Sequence, residues 1–218
     1  MNTGLLSNIN RIAVIDDDDS SRDLLGYPIA DANMKPIYQN DPVSNLNTYL
    51  TGLNNRVDAI VSDHHLKKKT NYFPINGAEF SSICYQRKIP CLLVTKYEQP
   101  EILEIRKYRE NIPVVLTPDE YYTDSLILGL EKCIKEFKGI ITPERKSWRT
   151  LVRIDDVETN LNVYVIVPGW NSQEAIALNM NNLPDKLQKC IKPEMRLFVR
   201  VNIGNENPNE LFFKDWEF

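Results

Sequence analysis

Two short strings in this chain end in carboxylate. Arg11-Ile-Ala-Val-Ile runs directly into Asp16-Asp17-Asp18-Asp19, and Ala59-Ile-Val-Ser ends in Asp63. An apolar run that finishes in acid is what a buried parallel strand delivers to the carboxyl edge of its sheet, where open α/β folds hold their ligands. Adjacent aspartates repel one another, and taken alone they read as a solvated turn. The apolar run before them, and a further carboxylate at the end of a second such run, favour a divalent-cation pocket instead. Cys84, Cys91, Cys133 and Cys190 are scattered, with no Cys-x-x-Cys pair and no histidine at ligand spacing, so they read as isolated reduced thiols.

The elements that must position these acids alternate between two periods. Arg11 to Ile15, Pro36 to Tyr38, Asp58 to Ser62, Pro90 to Thr95 and Ile112 to Leu116 are short, apolar and β-branched. Between them lie helical stretches at Ser20 to Met34, Val43 to Leu53, Ala78 to Arg87, Pro100 to Glu110 and Glu120 to Phe137, with Gly139 as a stop after the last. Strict alternation with short connections predicts a doubly wound α/β fold: a five-stranded parallel sheet covered on both faces. From Thr142 the pattern changes. Trp148 to Asp155, Asn162 to Val167, Glu174 to Leu178, Arg196 to Ile203 and Leu211 to Trp216 read as strands, with one short helix at Pro184 to Ile191. They predict a small, mainly antiparallel, barrel-like β domain over residues 145–218, after a first domain over residues 1–140.

Composition sets the outer limits. At 218 residues, 42% hydrophobic and 26% charged, the chain suits one domain plus a smaller one and argues against long disorder. Its net charge of −4 lies wholly in the part up to Glu144, with 16 basic against 20 acidic residues; the remainder carries ten of each. Such a balance gives no global attraction to nucleic acid or anionic lipid. No apolar stretch is long enough to cross a bilayer, and the first eight residues lack the features of a signal peptide; both point to a cytoplasmic protein with no membrane partner.

Residues 10 to 138 resemble the receiver domains of two-component response regulators. The likeness rests on several positions in order: Asp16 and Asp17 after the first strand, Ser20, Ser21 and Arg22 opening the first helix, Asp63 ending the third strand, Gly77-Ala-Glu-Phe opening the next helix, Thr95 ending the fourth strand, and Pro118 after the fifth. The resemblance implies Asp63 as phospho-acceptor, Mg²⁺ held by Asp16, Asp17 and Asp63, and Thr95 as the hydroxyl that contacts phosphate. It also implies a histidine kinase or other phosphoryl donor, and a protein effector. Mg²⁺ between carboxylates would offset the repulsion between an anionic nucleophile and an anionic donor.

The chain departs from that pattern in three places. Thr117-Pro118 stands where the family has Lys-Pro, which leaves Lys96 as the nearest substitute cation. Val114 lies near the place of the family's switch aromatic. The loop His64-His65-Leu66-Lys-Lys-Lys-Thr-Asn-Tyr-Phe-Pro-Ile-Asn76 is longer than receivers usually have, and reads as a solvated loop in preference to a docking element for an anion or acidic partner. For His64 and His65, placement at the sheet edge is favoured over ligation of a metal or phosphate.

In the C-terminal part, Trp170 reads equally as a partner anchor and as a lid over the barrel. Arg196, Phe198 and Arg200 share one face of a strand by period two, opposite Leu197, Val199 and Val201. With Trp148, Arg149, Arg153 and Tyr164 they are candidates for a single-strand nucleic-acid strip, though a protein effector is the favoured partner. Tyr97, Tyr108, Tyr121 and Tyr122 are available for pairing of the receiver-like part into a homodimer.

Together these features predict a non-enzymatic, response-regulator-like signalling protein that couples phosphorylation of Asp63 to a C-terminal interaction domain. The main alternative is a pseudo-receiver scaffold that works without phosphate. A haloacid-dehalogenase-like phosphotransferase, with Asp16 as nucleophile, Asp18 as its partner and Asp119-Glu120 as the last acidic motif, ranks lower.

Overall fold

The computed structural model describes residues 4–53, 55–69, 71–158 and 161–218. In chain order its main elements are β1 (Arg11–Ile15), α1 (Asp19–Asp31), β2 (Lys35–Tyr38), α2 (Leu46–Leu53), β3 (Ala59–Asp63), α3 (Gly77–Gln86), β4 (Cys91–Val94), α4 (Gln99–Tyr108), β5 (Val115–Leu116), α5 (Thr123–Phe137), β6 (Trp148–Val157), β7 (Asn162–Val167), β8 (Asn171–Asn179), α6 (Asp185–Gln188), β9 (Arg196–Val201) and β10 (Phe213–Glu217). The chain packs as two units, Met1–Tyr97 with Asn111–Ile140, and Glu98–Glu110 with Ile141–Phe218.

The first unit holds a parallel sheet in the order β2-β1-β3-β4-β5, a doubly wound arrangement whose switch point falls between β1 and β3. Period-two alternation builds a core on each face. Ile12, Val14, Ala59 and Val61 pack with Leu25 and Ile29 of α1 and Leu126, Leu130 and Cys133 of α5. Ala13, Ile15 and Ile60 pack with Leu50 and Leu53 of α2 and Phe80 and Cys84 of α3. Each Val, Leu, Ile or Phe among them contributes roughly 1.5–3 kcal/mol on burial.

Two elements are shorter than their apolar patterns suggest. β5 is confined to Val115 and Leu116, because Pro113 has no N–H to give to the ladder. α2 starts at Leu46, three residues beyond Val43, whose N–H instead meets the Tyr72 carbonyl at 2.8 Å. Asn45 accepts from the Thr48 amide at 3.0 Å and so starts the helix.

The second unit holds an antiparallel sheet in the order β10-β9-β6-β7-β8. Val152, Ile154, Val163, Val165, Ile176, Leu178, Leu197, Val199 and Val201 line its inner face. β8 and β10 are not hydrogen-bonded to each other, so the sheet does not close on itself as a full barrel would. α4 lies between these edges: its Arg106 and Lys107, with Leu178, Phe213 and Trp216, line a cavity of about 50 Å³.

Polar contacts bind α4 firmly to this unit. Arg106 donates to the carbonyls of Pro208 (2.9 Å) and Leu211 (2.7 Å), and Arg109 pairs with Glu210. Arg145 donates to the carbonyls of Arg109 (2.7 Å) and Glu110 (2.6 Å), and Lys214 pairs with Glu110. The sequence pattern counts α4 among the alternating elements of residues 1–140, whereas its side chains are built to cover the C-terminal sheet. Among the described residues no helix is long and apolar enough to cross a membrane.

Candidate functional site

Three strand ends bring the candidate residues of the first unit to the carboxyl edge. Asp16 follows β1, Asp63 closes β3, and Thr95 follows β4. In register, Ile15 faces Ser62 and Asp63 faces Val94, so Asp16 and Asp63 stand at one level of neighbouring strands and Thr95 stands one residue further along. Thr95 is buried, and its amide continues the ladder to the Leu116 carbonyl at 2.9 Å.

Gly77 explains the close seat of α3 behind Asp63. Its N–H meets the His64 carbonyl at 2.8 Å, and a Cβ there would lie 1.9 Å from the Asp63 carbonyl oxygen. Only glycine allows that approach.

The aspartates that follow β1 serve different ends. Asp16 is 6% exposed, and its Oδ1 accepts from the Asp18 amide at 2.8 Å. Burial pushes its carboxyl up to about 7, against the pull of the Asp18 amide, and repulsion from Asp63, Asp17 and Asp18 adds to the rise. Asp63 is likewise raised by burial, while the amides of His65 and His64 pull it back. Its Oδ2 accepts from the His65 amide at 2.6 Å. Asp18 caps α1 by accepting from the Ser21 amide at 2.8 Å, and Asp19 pairs with Arg22 at 2.7 Å.

Asp17 is turned to the long loop, where its Oδ2 accepts from the Lys69 amide at 2.5 Å. Asp16, Asp17 and Asp63 therefore do not stand as a three-carboxylate cage. Among the described residues no group of three His, Cys, Asp or Glu side chains is arranged to hold a metal ion.

Two contributors lie outside the acidic motif. Arg22 is buried, and its guanidinium donates to the Asp16 carbonyl at 2.7 Å as well as to Asp19, which puts a fixed cation beneath the acidic turn. Its charge was legible, but only the turn of α1 directs it inward. Tyr72, in the loop read as solvated, is 2% exposed. Its hydroxyl donates to the Gln39 carbonyl at 2.6 Å, its ring lies 5.9 Å from the Arg22 guanidinium, and Phe73 beside it packs edge-on against Phe80. Tyr-Phe in a lysine-rich loop was the available signal. Thr70 of this loop lies outside the described residues. Lys67, Lys68, Lys69, Asn71 and Pro74 are exposed, with Lys69 Nζ 3.7 Å from Asp19. His64 is buried and His65 half-buried, behind the edge.

Thr117 has a local task. Its hydroxyl and amide both meet Glu120 Oε2, at 2.9 and 2.8 Å, in a reciprocal cap of the single turn Pro118–Glu120. Lys96 is exposed, and Val114 is buried in the core. Of the tyrosines read as pairing contacts, Tyr121 is buried, with its hydroxyl on the Leu25 carbonyl at 2.9 Å, and Tyr122 is exposed.

In the second unit Trp170 is half-buried against the core and donates its indole N–H to the Asn205 carbonyl at 2.7 Å, as a lid would. Arg196, Phe198 and Arg200 are all exposed, with Leu197, Val199 and Val201 buried between and beside them. Trp148 does not share their face: it stands opposite Val201, on the side of Val152 and Ile154.

No protein-family model and no curated protein matches the chain. Among solved structures, the N-terminal part is similar to response regulator receiver domains. One is a receiver domain protein from Clostridium thermocellum, with 12% identity, 61% of this chain and 100% of that chain covered, and a TM-score of 0.45. A second is the signal receiver domain of an HD domain-containing protein from Pseudomonas fluorescens Pf-5, with 15% identity, coverage of 64% and 96%, and a TM-score of 0.45. A third is full-length FixJ from B. japonicum, with 21% identity, 62% of each chain covered and a TM-score of 0.42.

Proposed function

We propose that this chain is a response-regulator-like signalling protein whose receiver-type unit works as a phosphorylation-independent scaffold, with the C-terminal unit as its interaction domain. One observation carries this reading: the loop after Asp63 engages the acidic edge with the protein's own donors. The Lys69 amide takes Asp17, and Tyr72 stacks by Arg22 and is tied to Gln39. A pocket whose ligands are already held by its own loop is suited to one constant state. Thr117 and Lys96 support the same reading, since one is used as a cap and the other is exposed.

A second reading, phosphorylation of Asp63 by a histidine kinase or other donor, is favoured by the half-buried Asp63 carboxyl beside Asp16, with Thr95 directly after its strand partner Val94. It requires Asp17 to give up the Lys69 amide. Incubation of the full chain with Mg²⁺ and a small phosphoryl donor, or with beryllofluoride, separates the two. The scaffold reading expects no mass gain and no change in the amide spectrum of residues 60–80. Mass gain that is lost in Asp63→Asn would overturn it.

A further inference from the structure

The outer face of the second sheet carries a cluster that the scaffold reading leaves without a task. Cross-strand register places Arg149 opposite Arg200, Leu151 opposite Phe198, and Arg153 opposite Arg196. Side chains directly opposite on one face lie about 5 Å apart at Cβ, and like charges so placed oppose pairing. Two arginine pairs therefore flank one half-exposed ring on adjacent strands. The Arg149 guanidinium lies 3.7 Å from the Phe198 ring centroid, and Phe198 is 40% exposed.

Carboxylates answer only part of this charge. Glu217 sits in the fork of Arg149, with contacts of 2.8 to 3.2 Å, and Arg153 reaches Asp155 at 3.1 Å and Glu194 at 3.4 Å. Arg200 donates to the Ser147 carbonyl at 3.1 Å, and among the described residues neither Arg196 nor Arg200 pairs with a carboxylate. The bidentate seat of Glu217 marks the place of an oxyanion.

We propose that this face binds single-stranded nucleic acid, with phosphates on Arg196, Arg200 and Arg149 and a base stacked at Phe198. All four cations are arginines, whose planar fork suits phosphate and also stacks on bases, where lysine offers only a point charge. An exposed ring between them supplies the sequence-tolerant platform that small β domains use for single strands. An acidic peptide would use the charges and leave the ring idle. Glu217 acts as an internal competitor for the Arg149 fork.

The test is anisotropy of a fluorescein-labelled oligouridine of about 12 nucleotides, within the footprint of a small β domain, titrated with the full chain. Saturable binding is expected at low salt, falling steeply as salt rises. Arg196→Glu with Arg200→Glu is expected to weaken it at least ten-fold, Phe198→Ala about five-fold or more, and Glu217→Gln to tighten it about three-fold. Circular dichroism checks the double variant. Should that variant unfold, Arg196→Ala and Glu217→Gln, both at exposed positions, decide the matter by their opposite signs. Absence of saturable binding, insensitivity to Arg196 and Phe198, or equal binding of polyglutamate or duplex would overturn the proposal.

Discussion

The two sheets of this protein each gather charge at one place, and they treat it in opposite ways. At the carboxyl edge of the first sheet each acid is met by the protein's own donors: Asp16 is buried under the Asp18 amide, Asp17 is held by a loop amide, Asp18 caps a helix and Asp19 meets Arg22. On the outer face of the second, arginines stand on exposed strand positions around a half-exposed ring. A closed cluster shows its burial as displaced titration and depends on its own donors. An open one leaves its charge to be met from outside, screened by salt until a partner arrives.

The contrast is broken most directly at Tyr72. Tyr72→Ala removes the buried ring that seats the loop, and a loss of about 3–5 kcal/mol is expected in urea unfolding, with faster amide exchange over residues 65–75. A loss below about 1 kcal/mol would mean that the loop does not close the edge. Gly77→Ala comes next, since its Cβ would meet the Asp63 carbonyl; destabilisation of about 3 kcal/mol is expected.

Asp16→Asn acts through pH. Its folded-state carboxyl is raised from 3.8 to about 7, so between those values the native state holds more protons than the unfolded chain. Stability from this group is full below about pH 4, falls as pH rises toward 7, and is flat above. The variant is expected to lack that fall and to exceed the wild type by about 2 kcal/mol at pH 8, after allowance for screening. Urea midpoints at pH 5, 6 and 8 measure the difference, and parallel curves for the two proteins would contradict it.

Smaller effects sharpen the same contrast. Thr117→Ala is expected to cost about 1 kcal/mol through its cap, the ordinary worth of such a residue. Arg196→Ala, on the open face, is expected to move stability by less than about 0.5 kcal/mol in thermal unfolding. A larger loss there would show that the arginine supports the sheet, with no charge left for a ligand.

Much of the architecture was legible in the chain. The alternation of period-two runs with helical runs specified five parallel strands, and the shift to short strands after Thr142 specified an antiparallel sheet, because each pattern can bury its apolar face in only one of those ways. Two departures have physical causes. Pro113 trimmed β5 by withholding an N–H, and Val43 was taken from α2 by the Tyr72 carbonyl.

At the candidate site, residue types were readable while their pairings were not. The Asp16 and Asp63 positions, the glycine behind them and the alternation of Arg196, Phe198 and Arg200 follow from local period. That Asp17 turns to Lys69, that Thr117 spends its hydroxyl on Glu120, and that Arg22 lies beneath the turn depend on side-chain directions that spacing does not encode.

The sequence by itself determined that carboxylates end β1 and β3 and that one face of β9 is basic and aromatic, since strand period and apolar runs are local properties. Tertiary structure alone decided which charges are closed and which are open. Register set arginine opposite arginine, the loop brought Tyr72 inward, and α4 joined the second sheet through Arg106 and Arg109. Each outcome rests on contacts between residues far apart in the chain, whose energies arise only once both partners are in place.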